Sequence, residues 1–127
     1  MPLPTPCRVL VVDDHPDSAE SLARLIQTFG HDARFLTNAA LVEDVVAAFE
    51  PHVLLLDIAM PRIDGWTLAR TLRQSYTSDA LKIVAITAFD AADAHISSRK
   101  SGFDAHVAKP IDDRLLEKIL EQCFSGA

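Results

Sequence analysis

The chain has 127 residues, 49% of them hydrophobic, with a formal charge of −6. That length suits one compact domain able to bury roughly two-thirds of its unfolded surface, with no room for a second. An acidic chain without any Lys or Arg cluster is not built to neutralise nucleic-acid phosphates. No apolar run approaches the roughly 18 residues that cross a bilayer, so neither nucleic-acid binding nor direct membrane contact is expected.

Cys7 and Cys123 lie near opposite ends, and the start of the chain lacks a basic, apolar export signal. A reduced, cytoplasmic setting with structural thiols is the expectation. Residues 1–7, which include Pro2, Pro4 and Pro6, form a lead-in not to be forced into regular structure. The domain proper is expected over 8–124.

Residues 8–12 (RVLVV) are a continuous apolar run ending at Asp13, which predicts a strand buried on both faces of a parallel sheet. Pro16 opens a helix in which Ala19, Leu22, Leu25, Ile26 and Phe29 recur on one face until Gly30 stops it. A short strand is expected over 33–36. A helix is expected over 39–49, with Leu41, Val42, Val45, Val46 and Phe49 inward, ended by Pro51. Residues 53–56 (VLLL) again run apolar into a carboxylate, Asp57. The rhythm continues with a helix near 64–74, a strand over 82–87, a helix near 91–101 closed by Gly102, a strand over 104–108 and a helix over 112–124.

Five strands alternating with five helices predict an α/β, doubly wound, flavodoxin-like parallel sheet in the order 2-1-3-4-5. Ligands of such sheets bind outside the carboxyl ends of the strands. Those ends carry Asp13 and Asp14, Asp57, Thr87 and Lys109. Gathered carboxylates repel one another, and a divalent cation offsets that cost, with Lys109 beside it. An all-oxygen donor set favours Mg²⁺, which keeps several waters and leaves room for a phosphoryl oxygen. With cation, ammonium and hydroxyl aimed at phosphoryl oxygens, a central Asp57 can attack phosphorus and form an acyl phosphate.

Taken singly, these residues have plainer readings. Asp13 and Asp14 could cap the helix that Pro16 begins, Asp57 could be a turn carboxylate and Lys109 a surface charge. Met60-Pro61 and Asp64-Gly65 shape a loop and the start of the next helix. His15, His31, His52 and His95 have no Cys or second His at metal spacing and read as solvated.

The segments VVDDHP, LLLDIAMPRIDG, ITA and AHVAKP, in this order and spacing, resemble the receiver domain of response regulators and hybrid histidine kinases over residues 8–124. The resemblance implies that Asp57 is phosphorylated by a histidine kinase or His phosphotransfer domain. It implies Asp14 as a direct Mg²⁺ ligand, Asp13 acting through water and the Ala59 backbone carbonyl as the third protein ligand, with Mn²⁺ as a substitute cation. Thr87 would close over the phosphoryl group, Lys109 would pair with it, and Pro110 would follow in a cis peptide.

Thr87 movement would couple to the residue at His106, where Tyr or Phe is commoner in the family, and the output face would be the fourth helix, last strand and last helix. Such a domain is a phosphoacceptor rather than a turnover enzyme. Ala59 and Phe89 offer no polar side chain to orient water, so slow loss of phosphate is expected.

Three other functions fit less well. A flavin or nucleotide module needs a Gly- or Ser/Thr-rich loop where this chain has Asp13-Asp14-His15-Pro16. A haloacid-dehalogenase-like phosphatase needs a second Asp at the place of Ala59. A receiver that has lost phosphorylation would not keep all five key positions. Because three residues follow the last helix, action through a downstream protein partner or a homodimer is expected, as a stand-alone regulator or a hybrid-kinase terminal receiver.

Overall fold

The computed structural model describes residues 7–58, 65–77, 80–87, 102–108 and 111–124. Five strands form one parallel sheet: β1 (Arg8–Val12), β2 (Asp32–Leu36), β3 (Val53–Asp57), β4 (Lys82–Thr87) and β5 (Ala105–Ala108), in the order β2-β1-β3-β4-β5. That is the predicted topology. Four described helices connect or follow the strands: α1 (Pro16–Thr28), α2 (Val42–Phe49), α3 (Gly65–Ser75) and α4 (Asp113–Phe124). The helix expected near 91–101 lies outside the described residues.

Alternation along the strands sorts the core into two layers. Val9, Val11, Val53, Leu55, Val84, Ile86 and Val107 face α1 and α4, meeting Ala19, Leu22, Ile26, Leu116 and Leu120. Leu10, Val12, Leu54, Leu56, Ile83 and Ala85 face the other way, toward Val42, Val46 and Phe49 of α2 and Ala69 and Leu72 of α3. Both faces of β1 and β3 are therefore dry, which is why those segments read as unbroken apolar runs. β2, at the sheet edge, buries only Ala33 fully.

Two local departures from the expected elements have physical causes. The helix expected over 39–49 is split: a 3₁₀ turn at Ala39–Leu41 is capped by Asn38, whose Oδ1 accepts the Ala40 N–H at 3.0 Å, and α2 begins only at Val42. A side chain that satisfies the backbone locally competes with the helical ladder. At the far end Glu50 turns into the left-handed region (φ 53°, ψ 58°) ahead of Pro51. That conformation costs a non-glycine residue roughly 1 kcal/mol. It is held by the Glu50 N–H to Val46 O at 2.9 Å and by Arg8 Nε donating to Glu50 O at 2.8 Å.

The candidate site at the carboxyl ends of the strands

Parallel register places the acidic residues. β1 and β3 pair with Val12 beside Leu56, so the next residues, Asp13 and Asp57, stand at one level. Strands lie about 4.8 Å apart in this direction. The Asp13 N–H donates to Leu36 O at 3.1 Å, tying it to β2. Asp57 pairs with Ile86, and the Ile58 N–H donates to Ile86 O at 3.1 Å, tying the other side to β4. Asp57 continues the Val53–Leu55 series on the face covered by α1 and α4.

Asp13 and Asp57 are 2% and 3% exposed, and among the described residues they are the only polar or charged side chains in the buried class. Burying carboxylates side by side is costly, because each loses hydration and repels its neighbour. Asp14 is one-third exposed and His15 is largely exposed. His15 Nδ1 lies 3.1 Å from Asp14 Oδ1 and 3.4 Å from Asp13 Oδ1. Among the described residues, Asp13, Asp14 and His15 form a group whose potential ligand atoms all lie within 4.8 Å of one another.

The plainer reading of this segment, a helix cap, is met only in part. The N-cap of α1 is His15, whose side chain makes no capping bond, while Asp13 Oδ1 accepts the His15 N–H at 3.0 Å in a tight local turn. Pro16 removes one of the N–H groups that a cap would otherwise satisfy.

The other predicted positions are placed unevenly. Thr87 is the last residue of β4, one step past the Asp57 level, and pairs with Ala108, the last residue of β5. Lys109 follows Ala108 directly in sequence. Ala59, Lys109 and Pro110 lie outside the described residues, as does Phe89. His106 of β5 pairs with Ala85 of β4 and is exposed, whereas Val107, on the opposite face of the same strand, is buried.

At the opposite, amino-terminal rim of the sheet, residues expected to be solvated prove to be structural. His52 Nδ1 accepts the Arg8 N–H at 3.0 Å, and His31 Nδ1 accepts the Cys7 N–H in a longer bond of 3.4 Å. Burial lowers the pKa of both imidazoles, and for His52 the nearby Arg8 charge adds to the effect. The neutral ring is the form that can accept.

Beside them Arg73 of α3 donates through Nε to Gly102 O at 2.9 Å and through Nη1 to Leu81 O at 2.6 Å, and pairs with Asp104. Asp104 also accepts the Ile83 N–H at 2.8 Å. Gly102, at φ +91°, lets the chain pass Ala69, whose nearest atoms would meet a Cβ at 3.4 Å. No local signal announces these roles, since the partners lie 24 to 44 residues apart for the histidines and 31 for Arg73–Asp104.

Comparison with known proteins is consistent with this geometry. Residues 9–121 match the family described as the response regulator receiver domain. The response regulator MprA of Mycolicibacterium vanbaalenii is 34% identical over 115 residues, covering 91% of this chain and 48% of that protein. MprA of Mycobacterium avium is 34% identical over 113 residues, covering 89% and 47%. The chain therefore spans about half the length of these relatives.

Among solved structures, a response regulator from Chloroflexus aurantiacus superposes with a TM-score of 0.83 at 27% identity, covering 94% of this chain and 98% of the other. A signal receiver domain from Bermanella marisrubri superposes with a TM-score of 0.77 at 30% identity, covering 90% and 95%.

Proposed function

Because the chain belongs to the response regulator receiver domain family, we propose that Asp57 accepts a phosphoryl group in two-component signalling, in a pocket that Asp13 and Asp14 prepare for Mg²⁺. The observation that carries this reading is the pair of buried carboxylates, Asp13 and Asp57, level with each other at adjacent strand ends. Such a pair calls for a compensating positive charge, and the oxygen donors present suit a hard dication.

Asp14, Asp57 and the Ala59 carbonyl would hold the ion directly, with Asp13 acting through water; Mn²⁺ would substitute for Mg²⁺. When bound, the cation offsets carboxylate repulsion and the charge on the phosphoryl oxygens.

The phosphodonor is a histidine kinase or a His phosphotransfer domain. An Asp57 carboxylate oxygen bonds to phosphorus as the bond from phosphorus to the donor imidazole nitrogen breaks, and the imidazole keeps that electron pair. Burial of Asp57 holds it in one orientation and keeps bulk water from the acyl phosphate. Thr87 and Lys109 supply the hydroxyl and ammonium for the phosphoryl oxygens.

The switch runs from Thr87 through His106 and Pro110 to the face of residues 91–101, β5 and α4, where a downstream protein or a second copy of the chain binds. An exposed imidazole at His106 makes that coupling depend on a surface group. The chain promotes its own phosphorylation and slow dephosphorylation and is not a turnover enzyme. No described helix is long and apolar enough to cross a membrane, and the proposed setting is the cytoplasm.

Intact-protein mass after treatment with acetyl phosphate and Mg²⁺ tests the reading. The native chain should gain one phosphoryl-sized increment, and both Asp57→Asn and a chelator should abolish it. Labelling that survives in Asp57→Asn would refute the assignment.

A further inference from the structure

We propose that His15 adds a nitrogen donor to the acidic pocket, so that the site binds borderline first-row dications far more tightly, relative to Mg²⁺, than its carboxylates alone would. The inference rests on the pocket being the cation site described above.

Its basis is geometric. Neighbouring ligands of an octahedral ion with bonds near 2.1 Å stand roughly 3 Å apart. His15 Nδ1 stands 3.1 Å from Asp14 Oδ1 and 3.4 Å from Asp13 Oδ1. The 3.1 Å spacing is one at which His15 and the direct ligand Asp14 can share one ion with little rearrangement, with Asp13 close enough to act through water. The backbone of the same residue donates to Asp13 Oδ1 at 3.0 Å. His15 thus positions one carboxylate while presenting its ring to both.

The side chain is 74% exposed, and no packing has to be undone for the ring to turn the last few tenths of an ångström. Its location between β1 and α1 is also held firmly, because Pro16 fixes the first turn of the helix and the His15 carbonyl accepts the Ala19 N–H at 3.0 Å.

The chemistry decides which ions gain. Imidazole nitrogen suits Fe²⁺, Ni²⁺, Cu²⁺ and Zn²⁺, with affinity climbing along the first-row order from Mn²⁺ through Ni²⁺, whereas Mg²⁺ prefers oxygen and keeps its waters. A carboxylate-only pocket separates these ions modestly. A mixed pocket of two or three carboxylates and one imidazole separates them strongly, and the receiver becomes sensitive to which divalent metal is present.

The test is calorimetric titration of the native chain, His15→Ala and Asp14→Asn with Mg²⁺ and with Ni²⁺. His15→Ala should weaken Ni²⁺ by at least about tenfold and Mg²⁺ by less than about twofold, while Asp14→Asn should weaken both. In pulsed electron paramagnetic resonance, the Mn²⁺-loaded native chain should show nitrogen-14 modulation that is absent from His15→Ala.

A Ni²⁺ loss no larger than the Mg²⁺ loss, or nitrogen modulation that persists without His15, overturns the proposal. If Mg²⁺ still binds and supports acetyl phosphate labelling in that case, only the role of His15 falls. If Mg²⁺ binds neither the native chain nor the variants, the pocket reading falls with it.

Discussion

The two ends of the sheet are built on opposite electrostatic plans. At the carboxyl end, β1 and β3 deliver Asp13 and Asp57 into burial beside each other, with Asp14 at the margin. At the amino end, the polar groups are matched across long stretches of chain. His52 and His31 accept strand N–H groups, and Arg73 binds two carbonyls and the Asp104 carboxylate. One end concentrates like charge; the other pairs its charges and hydrogen-bonding groups across distant parts of the chain and holds the sheet together. Function is drawn from the end where the fold buries acidic side chains at adjacent strand ends.

The largest effect on stability should come from breaking the matched end. Arg73→Ala removes donors from Gly102 and Leu81 and leaves the Asp104 carboxylate, about one-fifth exposed, without its ion pair. The expected loss is roughly 3 kcal/mol, read as a lower urea midpoint. The fraction of molecules still folded should accept phosphate as the native chain does. Loss of labelling in the folded fraction would mean that the two ends are not independent.

A smaller effect of opposite sign should follow from removing one charge at the acidic end. Asp13→Asn keeps an oxygen to accept the His15 N–H but removes one buried negative charge. Without divalent cation, the variant should be more stable than the native chain by on the order of 1 kcal/mol. With saturating Mg²⁺ the order should reverse, because binding contributes more to the stability of the native chain than to that of a variant that keeps Asp14 and Asp57 but lacks the charge of Asp13. Thermal melts with and without Mg²⁺ measure both differences. A destabilised variant in chelator would show that the carboxylates do not repel one another as argued.

The smallest effect is a pH dependence belonging to the amino end. Burial lowers the folded-state pKa of His52 and of His31 below the ordinary value of 6.5. Below 6.5 the unfolded chain therefore takes up protons that the native rings refuse. Stability is complete above 6.5 and declines as pH falls through it toward the lowered native values. His52→Gln, which can still offer an oxygen to the Arg8 N–H, should flatten that decline while leaving stability above 6.5 nearly unchanged. Urea midpoints on either side of pH 6.5 measure the slope, and an identical slope in the variant would remove His52 from the account.

Much of this molecule is decided by short-range pattern. Runs such as RVLVV and VLLLD, each closed by a carboxylate, announce buried parallel strands and place Asp13 and Asp57 at strand ends without reference to any distant residue. Helical periodicity and the Pro16 and Gly30 boundaries do the same for α1. Tertiary structure alone decided what depends on register between segments far apart. It set the burial of Asp13 and Asp57 side by side, the acceptor roles of His31 and His52, the Arg73–Asp104 clamp and the exposure of His106 on an edge strand. The physical reason is that period and capping are properties of a few consecutive residues. Burial and pairing are properties of which strand lies next to which, and at what level.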